Sequence, residues 1–348
     1  KHILFLKGHP MLIQIKKLLN KYTNMSDVAK ATFWFFACNI LTKCISLITT
    51  PIFTRLLPSE EYGFYNTFVS WDQIVTIIVT IRLNYGIFNK GMSKYSNDKD
   101  NYTATMQSIS SILSIILLVV YLIFHDIFNK ITGLTTLLSL GLIAEVFFAN
   151  AISFWMVKQR YNFKYKSVIA VSLSLTACHT IFGIIAVILS GYRGVGRILS
   201  SVLVYVCIGL IIYIYNYYKS TKKFVKEYAK FAILFNLPLL PHYFAGYILD
   251  QFDRIMIMKL IGYSAVGVYS VAYSCGYVIK IITTSLNNTL IPWLYQRLKA
   301  NDLPSISKCI NSVINSVLIC FLGFMAFAPE IIRIMAAPEY YEAVYILP

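Results

Sequence analysis

The sequence predicts an all-α polytopic membrane protein, and three observations support that fold class. The 348 residues are 57% hydrophobic and only 13% charged, whereas soluble domains carry about 25% charged residues. Nine apolar runs are long enough to cross a bilayer as helices, and the basic residues are concentrated in alternate connections between them. This composition excludes a disordered chain, a nucleic-acid-binding domain and an ordinary soluble enzyme.

The nine predicted spans follow one another with short connections, so we expect no separate soluble domain. A helix needs about 20 mostly apolar residues to cross the hydrocarbon core. The length of the runs favours helices, because barrel strands would appear as alternating segments of about 10 residues. The predicted spans are 31–54, 66–88, 106–124, 131–157, 167–190, 198–218, 231–250, 264–292 and 308–328.

The distribution of Lys and Arg predicts the orientation of these spans. If the N-terminus is placed in the cytoplasm, the cytoplasmic segments hold roughly three times as many cations as the outer segments. This bias also accounts for the net charge of +16 without a nucleic-acid partner. We therefore expect a multi-pass protein that begins with a basic cytoplasmic segment, residues 1–30. An apolar run starting at Ala343 suggests that a tenth span begins near the end of the chain.

Three cations lie inside predicted spans, in the half of the membrane nearer the cytoplasm: Lys43, Arg82 and Lys280. A charge at mid-bilayer costs about 2.5–3.5 kcal/mol on insertion scales, so each needs a partner or a water-filled cavity. Together they could bind an anionic head group such as a phosphate or pyrophosphate. The alternative for each is a side chain that reaches the membrane surface or a structural ion pair.

Two acidic residues within spans, Asp72 and Glu145, are candidates for binding a coupling proton or sodium ion, with a structural hydrogen bond as the alternative for Glu145. Asp72 and Arg82 stand ten residues apart on the second predicted span. On a helix this spacing puts them on one side, about 15 Å apart, so we expect both to face one cavity. His179, in the fifth span, is expected to be structural.

The seventh predicted span carries the candidate hinge and gate residues. Pro238 and Pro241 interrupt it, and broken helices often line cavities or act as hinges in transporters, although a static kink is the alternative. Asp250, Asp253 and Arg254 cluster at its outer end. Since residues 250 and 254 are four apart, they are expected to pair on one helix face as a local cap or gate.

The sequence contains no constellation typical of an enzyme. It has no G-x-S-x-G, H-E-x-x-H or P-loop motif, and its five His and seven Cys residues show no metal-site spacing. We therefore expect neither catalytic residues nor a metal, and no cofactor beyond a coupling ion.

Three blocks of sequence resemble the polysaccharide (O-antigen, Wzx-type) flippase family. Residues 51–63 fit the pattern P-x-x-T-R-x-L-x-x-x-E-Y-G. Residues 237–273 hold a Leu-Pro-x-x-Pro-His run, then Asp253-Arg254-Ile255, then a Gly-x-Tyr-Ser-x-Ala-Tyr stretch. Residues 337–343 end in a Tyr-x-x-Ala pattern. The blocks occur in family order across the chain.

The resemblance implies the fold of the multidrug/oligosaccharidyl-lipid/polysaccharide exporters, with about 12 helices in two lobes around a cavity. Residues 31–218 would be the N-lobe with six helices, and 219–230 a cytoplasmic linker. Residues 231–348 would be a partial C-lobe with three helices and the start of a fourth. The implied location is a bacterial cytoplasmic (inner) membrane.

The resemblance also implies a function. Flippases of this kind move an undecaprenyl-pyrophosphate-linked oligosaccharide, such as an O-antigen or capsule repeat unit, to the outer leaflet by alternating access. The implied partners are this lipid-linked oligosaccharide, membrane lipids, and a polysaccharide polymerase and chain-length regulator. Two alternatives stay open: a lipid II flippase for peptidoglycan, and a drug or cation antiporter of the same superfamily.

Overall fold

The computed structural model describes residues 26–299 and 302–347, and this part of the chain is helical throughout, with no strand. The predicted all-α class is thereby confirmed. Most of the predicted basic segment 1–30 lies outside the described residues. The helices are α1 (Asp27–Leu56), α2 (Ser59–Thr80), α3 (Gly86–Lys94), α4 (Lys99–Ile123), α5 (His125–Thr132), α6 (Thr136–Tyr161), α7 (Tyr165–Leu189), α8 (Arg193–Lys219), α9 (Lys226–Asn236), α10 (Leu240–Leu260), α11 (Tyr263–Lys299), α12 (Leu303–Ala326) and α13 (Ala328–Met335). Two short 3-10 helices complete the described chain, Leu237–Leu239 and Pro338–Tyr345.

Each predicted span corresponds to a helix or to two helices in succession. In the described chain, seven segments are long and apolar enough to cross a membrane by length and composition. The other two predicted spans correspond to α2 and α11, which are helical but more polar. These two helices pack closely against each other. Their polar residues therefore face neighbouring helices and a cavity, and they do not face lipid.

The second span differs from its prediction. Helix α2 runs from Ser59 to Thr80, whereas the apolar pattern predicted residues 66–88. It ends because Ile81 and Arg82 adopt left-handed backbone angles, with φ of 46° and 54°. The Asn236 side-chain amide donates to the Ile81 carbonyl at 2.9 Å, which satisfies one carbonyl exposed by the break.

The interruption predicted in the seventh span is present. Helix α9 ends at Asn236, the 3-10 turn Leu237–Leu239 follows, and α10 begins at Leu240. Pro238 lies at the start of the 3-10 turn, and Pro241 lies at the start of α10. A proline is tolerated there because the amide hydrogen it lacks has no intrahelical partner. The break is therefore built into the sequence, while a hinge role for it stays a prediction.

One end of the helix bundle is tightly packed, and we call it the closed end. Its core contains Phe53, Leu57, Tyr62, Val271 and Tyr340, from the α1–α2 corner, α11 and the last 3-10 helix. The Tyr340 hydroxyl donates to the Leu57 carbonyl at 2.7 Å. Residues 338–345 thus belong to this end of the bundle, and they include Ala343, where the tenth span was predicted to begin. The tenth span itself stays a prediction.

The opposite end contains the connection between α8 and α9, and we call it the linker end. The Asn101 side-chain oxygen accepts from the backbone amides of Thr221 and Lys222 at 2.8 and 2.9 Å. The Val225 amide donates to the Thr105 hydroxyl at 3.1 Å. Residues 220–225 are therefore fixed to α4. The assignment of this connection as a linker between two lobes stays a prediction.

Candidate functional site

A cavity of about 330 Å³ lies between α1, α2, α10 and α11. Along α2 and α11 it lies beyond the contact between the first turns of these helices, which belongs to the closed end. Its walls are polar and aromatic, although the four helices are membrane-spanning in character. The charged, amide and aromatic residues that line it are Lys43, Asn66, Gln73, Asp250, Gln251, Arg254, Tyr273, Tyr277 and Lys280.

Two of the three predicted binding cations meet in this cavity. The Lys43 ammonium lies 3.4 Å from the Tyr277 hydroxyl and 4.8 Å from the centre of its ring. The Lys280 ammonium lies 5.8 Å from the centre of the same ring. Lys43 and Lys280 are 237 residues apart in sequence, so only the packing of α1 against α11 brings them together.

Lys280 forms an ion pair with Asp250, and this differs from the predicted pairing. The ammonium lies 2.8 Å from a carboxylate oxygen of Asp250, and both side chains are about half exposed. Arg254, the predicted partner, instead donates to the Gln251 side-chain oxygen at 2.9 Å and to the Asp250 backbone carbonyl at 3.3 Å. The prediction was wrong because residues on α11, which the helix-spacing rule ignores, compete for the carboxylate.

A row of amide side chains holds Arg254 in place. Gln251 donates to the Gln73 oxygen at 2.8 Å, and its own oxygen accepts from Ser70 at 3.2 Å as well as from Arg254. The Arg254 guanidinium also lies over the Tyr273 ring at 4.3 Å. Gln73 and Gln251 did not emerge from the sequence, because uncharged amides give no signal in a search for membrane-embedded charges.

Asp253 is not part of this row and bonds to a residue of α11. Its carboxylate accepts a short hydrogen bond from the Tyr269 hydroxyl of α11. The predicted cluster of Asp250, Asp253 and Arg254 therefore contacts three different residues of α11, which are Lys280, Tyr269 and Tyr273. All three residues connect α10 to its neighbours, and their role as a gate stays a prediction.

Arg82 lies apart from Lys43 and Lys280, next to the break after α2. Its guanidinium donates to the Tyr247 hydroxyl at 2.8 Å and contacts the rings of Tyr85, Tyr243 and Tyr247. Since Tyr243 and Tyr247 belong to α10, Arg82 joins α2 to the seventh span. Arg82 is beyond the end of the helix that carries Asp72, so the helical spacing used to place both in one cavity does not apply.

Asp72 and Glu145 belong to the N-terminal helices α2 and α6, and neither lines this cavity. Glu145 is buried in α6, with 6% of its surface exposed. The Ser201 hydroxyl donates to one Glu145 oxygen at 3.0 Å and lies 3.1 Å from a ring nitrogen of His179. These side chains form a buried polar network between α6, α7 and α8.

Arg197 belongs to the same network and was missed by sequence reasoning, which placed it in an outer connection. Helix α8 begins at Arg193, so Arg197 lies one turn inside it and is 4% exposed. Its guanidinium donates to the His179 carbonyl at 2.8 Å and lies 4.0 Å from the centre of the Phe53 ring. The glycine at position 183 of α7 leaves the space that this guanidinium fills.

The closed end is formed by the three sequence blocks that carry the family resemblance. Gly63 and Gly267 allow the backbones of α2 and α11 to touch, because a side chain at either position would overlap the other helix. The hydroxyls of Ser59 and Ser264 are 2.8 Å apart across this contact. Residues of the third block join through Tyr340, whose ring packs edge-on against Tyr62 at 5.8 Å.

A second and larger cavity, of about 1130 Å³, opens at the linker end. It lies between the start of α1, the α2–α3 break and the α6–α7 turn, and it is lined by Phe35, Tyr85, Lys99 and Arg160 among others. Tyr85 links it to the surroundings of Arg82. Within the described chain, no group of three or more His, Cys, Asp or Glu side chains could hold a metal ion.

Comparison with known proteins agrees with the resemblance read from the sequence. The model of a family described as "Polysaccharide biosynthesis protein" matches residues 28–298. A protein of Haemophilus influenzae described as "Lsg locus putative protein 1" is 25% identical over 292 residues, which cover 79% of this chain and 68% of that protein. No solved structure matches the chain. The family match extends over most of the chain and contains two of the three sequence blocks, and the chain therefore belongs to the polysaccharide biosynthesis protein family.

Proposed function

We propose that the protein is a flippase that moves a lipid-pyrophosphate-linked oligosaccharide from the cytoplasmic to the outer leaflet of a bacterial inner membrane. The observation that carries this proposal is the cavity between α1, α2, α10 and α11. It holds cations and aromatic rings within a bundle of apolar helices. Membership of the polysaccharide biosynthesis family supports a carbohydrate cargo. In this role the protein is a transporter with no catalytic residues.

The chemistry of the cavity suits such a cargo. Pyrophosphate oxygens are strong acceptors for ammonium and guanidinium groups. Lys43 has a neutral partner, the Tyr277 hydroxyl, so its charge is available to an anion. Tyr273 and Tyr277 offer flat faces and hydroxyls to sugar rings, and Gln73 and Asn66 offer amides. The lipid tail would remain in the bilayer beside α1.

In this proposal the linker end lies in the cytoplasm and the closed end outside, an orientation that the positive-inside bias supports. The described conformation is then sealed toward the outside, with its larger cavity open toward the cytoplasm. Arg82 contacts Tyr85, which lines the larger cavity, and would bind the pyrophosphate on its way in. Alternating access requires that the contact between α2 and α11 separates, with the Pro238–Pro241 break as the hinge. A proton or sodium ion would drive this exchange.

The proposal is tested by restoring surface polysaccharide in a flippase-null strain with the full-length protein. We expect the wild type to restore export, and Lys43→Met and Arg82→Gln to lose most of it at equal membrane abundance. Lys130→Ala is the matched control, since this exposed cation lies on α5 outside both cavities. Full export by both cavity variants would refute the anion site. Restoration of peptidoglycan-precursor or drug export in place of polysaccharide would assign a different cargo.

The role of Lys280 has to be tested with a single and a double variant, because Lys280 neutralises the charge of Asp250. Lys280→Met alone leaves a carboxylate in the cavity that repels an anionic substrate. The double variant Asp250→Asn/Lys280→Met removes both charges. If Lys280 serves mainly to neutralise Asp250, the double variant recovers export that the single variant loses. If Lys280 contacts the substrate directly, both variants lose export.

A further inference from the structure

A short helix at the linker end carries an exposed polar stripe. Helix α3 turns its apolar side chains inward, where they share one core with residues of α4 and α9. Its other side is exposed, and we call the four residues there the α3 stripe: Asn89, Lys90, Ser93 and Lys94. All four side chains can donate hydrogen bonds, and none is acidic. The stripe therefore suits an anionic group.

The two lysines of the α3 stripe lie over aromatic rings of α9. The Lys90 ammonium is 4.5 Å from the centre of the Phe235 ring, and the Lys94 ammonium is 4.5 Å from the centre of the Phe231 ring. Within the described chain, neither lysine forms an ion pair within 4.0 Å. An ammonium has three donors, and a ring covers only one side of it, so each lysine can still bind an anion.

The acidic residues of the adjoining segments bind to tyrosines. The Tyr95 hydroxyl, just after α3, donates to a Glu227 oxygen at 3.3 Å, and the Tyr228 hydroxyl donates to an Asp98 oxygen at 2.6 Å. Neither carboxylate pairs with a lysine of the α3 stripe. Like charges four residues apart on a helix repel each other, so an anion bound between the two lysines would relieve that repulsion.

The length of the seventh span places the α3 stripe at the level of lipid head groups. The candidate span from Lys226 to Leu260, which contains α9, has 35 residues. At 1.5 Å per residue it measures about 52 Å, whereas the hydrocarbon core is about 30 Å thick. An excess of about 11 Å at each end puts the first turns of α9 among the head groups. Exposed apolar side chains follow along the chain, namely Leu234, Phe235 and Leu237.

We propose that the α3 stripe binds the phosphate of an anionic phospholipid in the leaflet at the linker end. The two ammonium groups contact the phosphodiester, Asn89 and Ser93 donate to its oxygens, and an acyl chain lies along Phe235 and Leu237. The exposed apolar side chains favour a lipid over a soluble anion. The positive-inside bias requires only a number of cations at this end, whereas lipid binding requires this arrangement of donors and apolar surface.

Such a lipid fastens α3 to α9. The lysines belong to the helix that follows the second span, and the rings beneath them belong to the first part of the seventh span. A phosphate that attracts both ammonium groups offsets their repulsion and keeps them on the rings. We therefore expect anionic lipid to stabilise the folded protein. This binding does not depend on the proposed flippase function.

The binding is tested by titrating the purified full-length protein in neutral detergent with dioctanoyl phosphatidylglycerol and counting bound lipid by native mass spectrometry. Wild type should bind it more tightly than dioctanoyl phosphatidylcholine, which has no net charge. Lys90→Gln/Lys94→Gln should weaken the binding about 25-fold, because each lysine near an anionic surface contributes about a factor of five. Phosphatidylglycerol should also raise the melting temperature of the wild type and not that of this double variant. Loss of the ring contacts alone would leave that lipid-dependent rise unchanged.

Lys222→Gln/Lys223→Gln is the matched control. It removes two exposed lysines at the same end of the protein, and Lys223 also lies over a ring, that of Tyr217, at 5.8 Å. This variant should bind phosphatidylglycerol like the wild type. Equal weakening in both double variants, or unchanged binding by Lys90→Gln/Lys94→Gln, would overturn the site. Displacement of phosphatidylglycerol by an equimolar polyprenyl phosphate would assign the stripe to an isoprenoid carrier and overturn the choice of a phospholipid.

Discussion

A single methyl group at Gly63 should open the closed end. Its carbon would lie 2.7 Å from the Tyr263 carbonyl carbon and 2.8 Å from the Gly267 amide nitrogen, and nearer still to the Tyr263 oxygen. Ordinary van der Waals contact begins near 3.4 Å, so α2 and α11 must separate by more than about 0.7 Å. All three of these atoms belong to the backbone, so they cannot rotate away as a flexible side chain could. Overpacking of this kind costs about 1–3 kcal/mol, which corresponds to a shift of about 5–150-fold in the population of the closed state.

The assay uses the neighbouring serines as a distance reporter. Ser59 and Ser264 have hydroxyls 2.8 Å apart, so cysteines at these positions should form a disulfide when the end is closed. The seven native cysteines are free and are replaced beforehand. We expect Gly63→Ala to lower the ratio of closed to open protein, which the extent of cross-linking reports, by about fivefold or more.

Gly276→Ala is the matched control for this experiment. Gly276 is a glycine of α11 with nothing within 4 Å of an added methyl group. Both substitutions raise helix propensity by about 0.5–1 kcal/mol, so their difference isolates the contact between the helices. Unchanged cross-linking in Gly63→Ala, or an equal loss in Gly276→Ala, would refute the role assigned to this contact.

Three further predictions concern other parts of the fold. Tyr340→Phe removes one buried hydrogen bond to the α1–α2 corner and should cost about 1 kcal/mol, seen as a lower melting temperature; no change would show that the bond is dispensable. Asn101→Ala frees the backbone of residues 221–222 and should speed limited proteolysis at that connection, and unchanged cleavage would contradict its fixation to α4. Asp100→Asn should destabilise the protein more than Lys158→Met, because the Lys158 side chain is buried and Asp100 is half exposed; the opposite order in thermal denaturation would contradict this.

The membrane-spanning helices were largely predictable from the sequence, because apolar runs of sufficient length have few alternatives in a bilayer. The proline break in the seventh span was also predictable, since a proline has no amide hydrogen to donate. The end of α2 was not predictable, because it depends on the left-handed angles of Ile81 and Arg82 and on a contact from Asn236. The hydrogen bond from Asn236 to Ile81 joins residues 155 positions apart in the sequence.

The candidate site was predictable in its residue types but not in its pairings. The predicted depth in the membrane identified Lys43, Lys280 and Glu145. In the structure, Lys43 and Lys280 line the same cavity, whereas Glu145 belongs to a separate hydrogen-bond network. Asp250 pairs with Lys280 across two helices, which a spacing rule within one helix cannot foresee. Arg197 was assigned to a connection because the sixth span was predicted to begin at residue 198, about one helical turn after α8 begins at Arg193.

The most direct test of the proposed transport uses liposomes that contain the full-length protein and a fluorescent lipid-pyrophosphate-linked oligosaccharide. Translocation is measured as the fraction of this probe that an impermeant quencher reaches. The cavity between α1, α2, α10 and α11 predicts movement between leaflets by the wild type, and loss of that movement in Lys43→Met but not in Lys130→Ala. Equal movement with wild type, Lys43→Met and protein-free liposomes would contradict the proposal that this cavity carries the substrate.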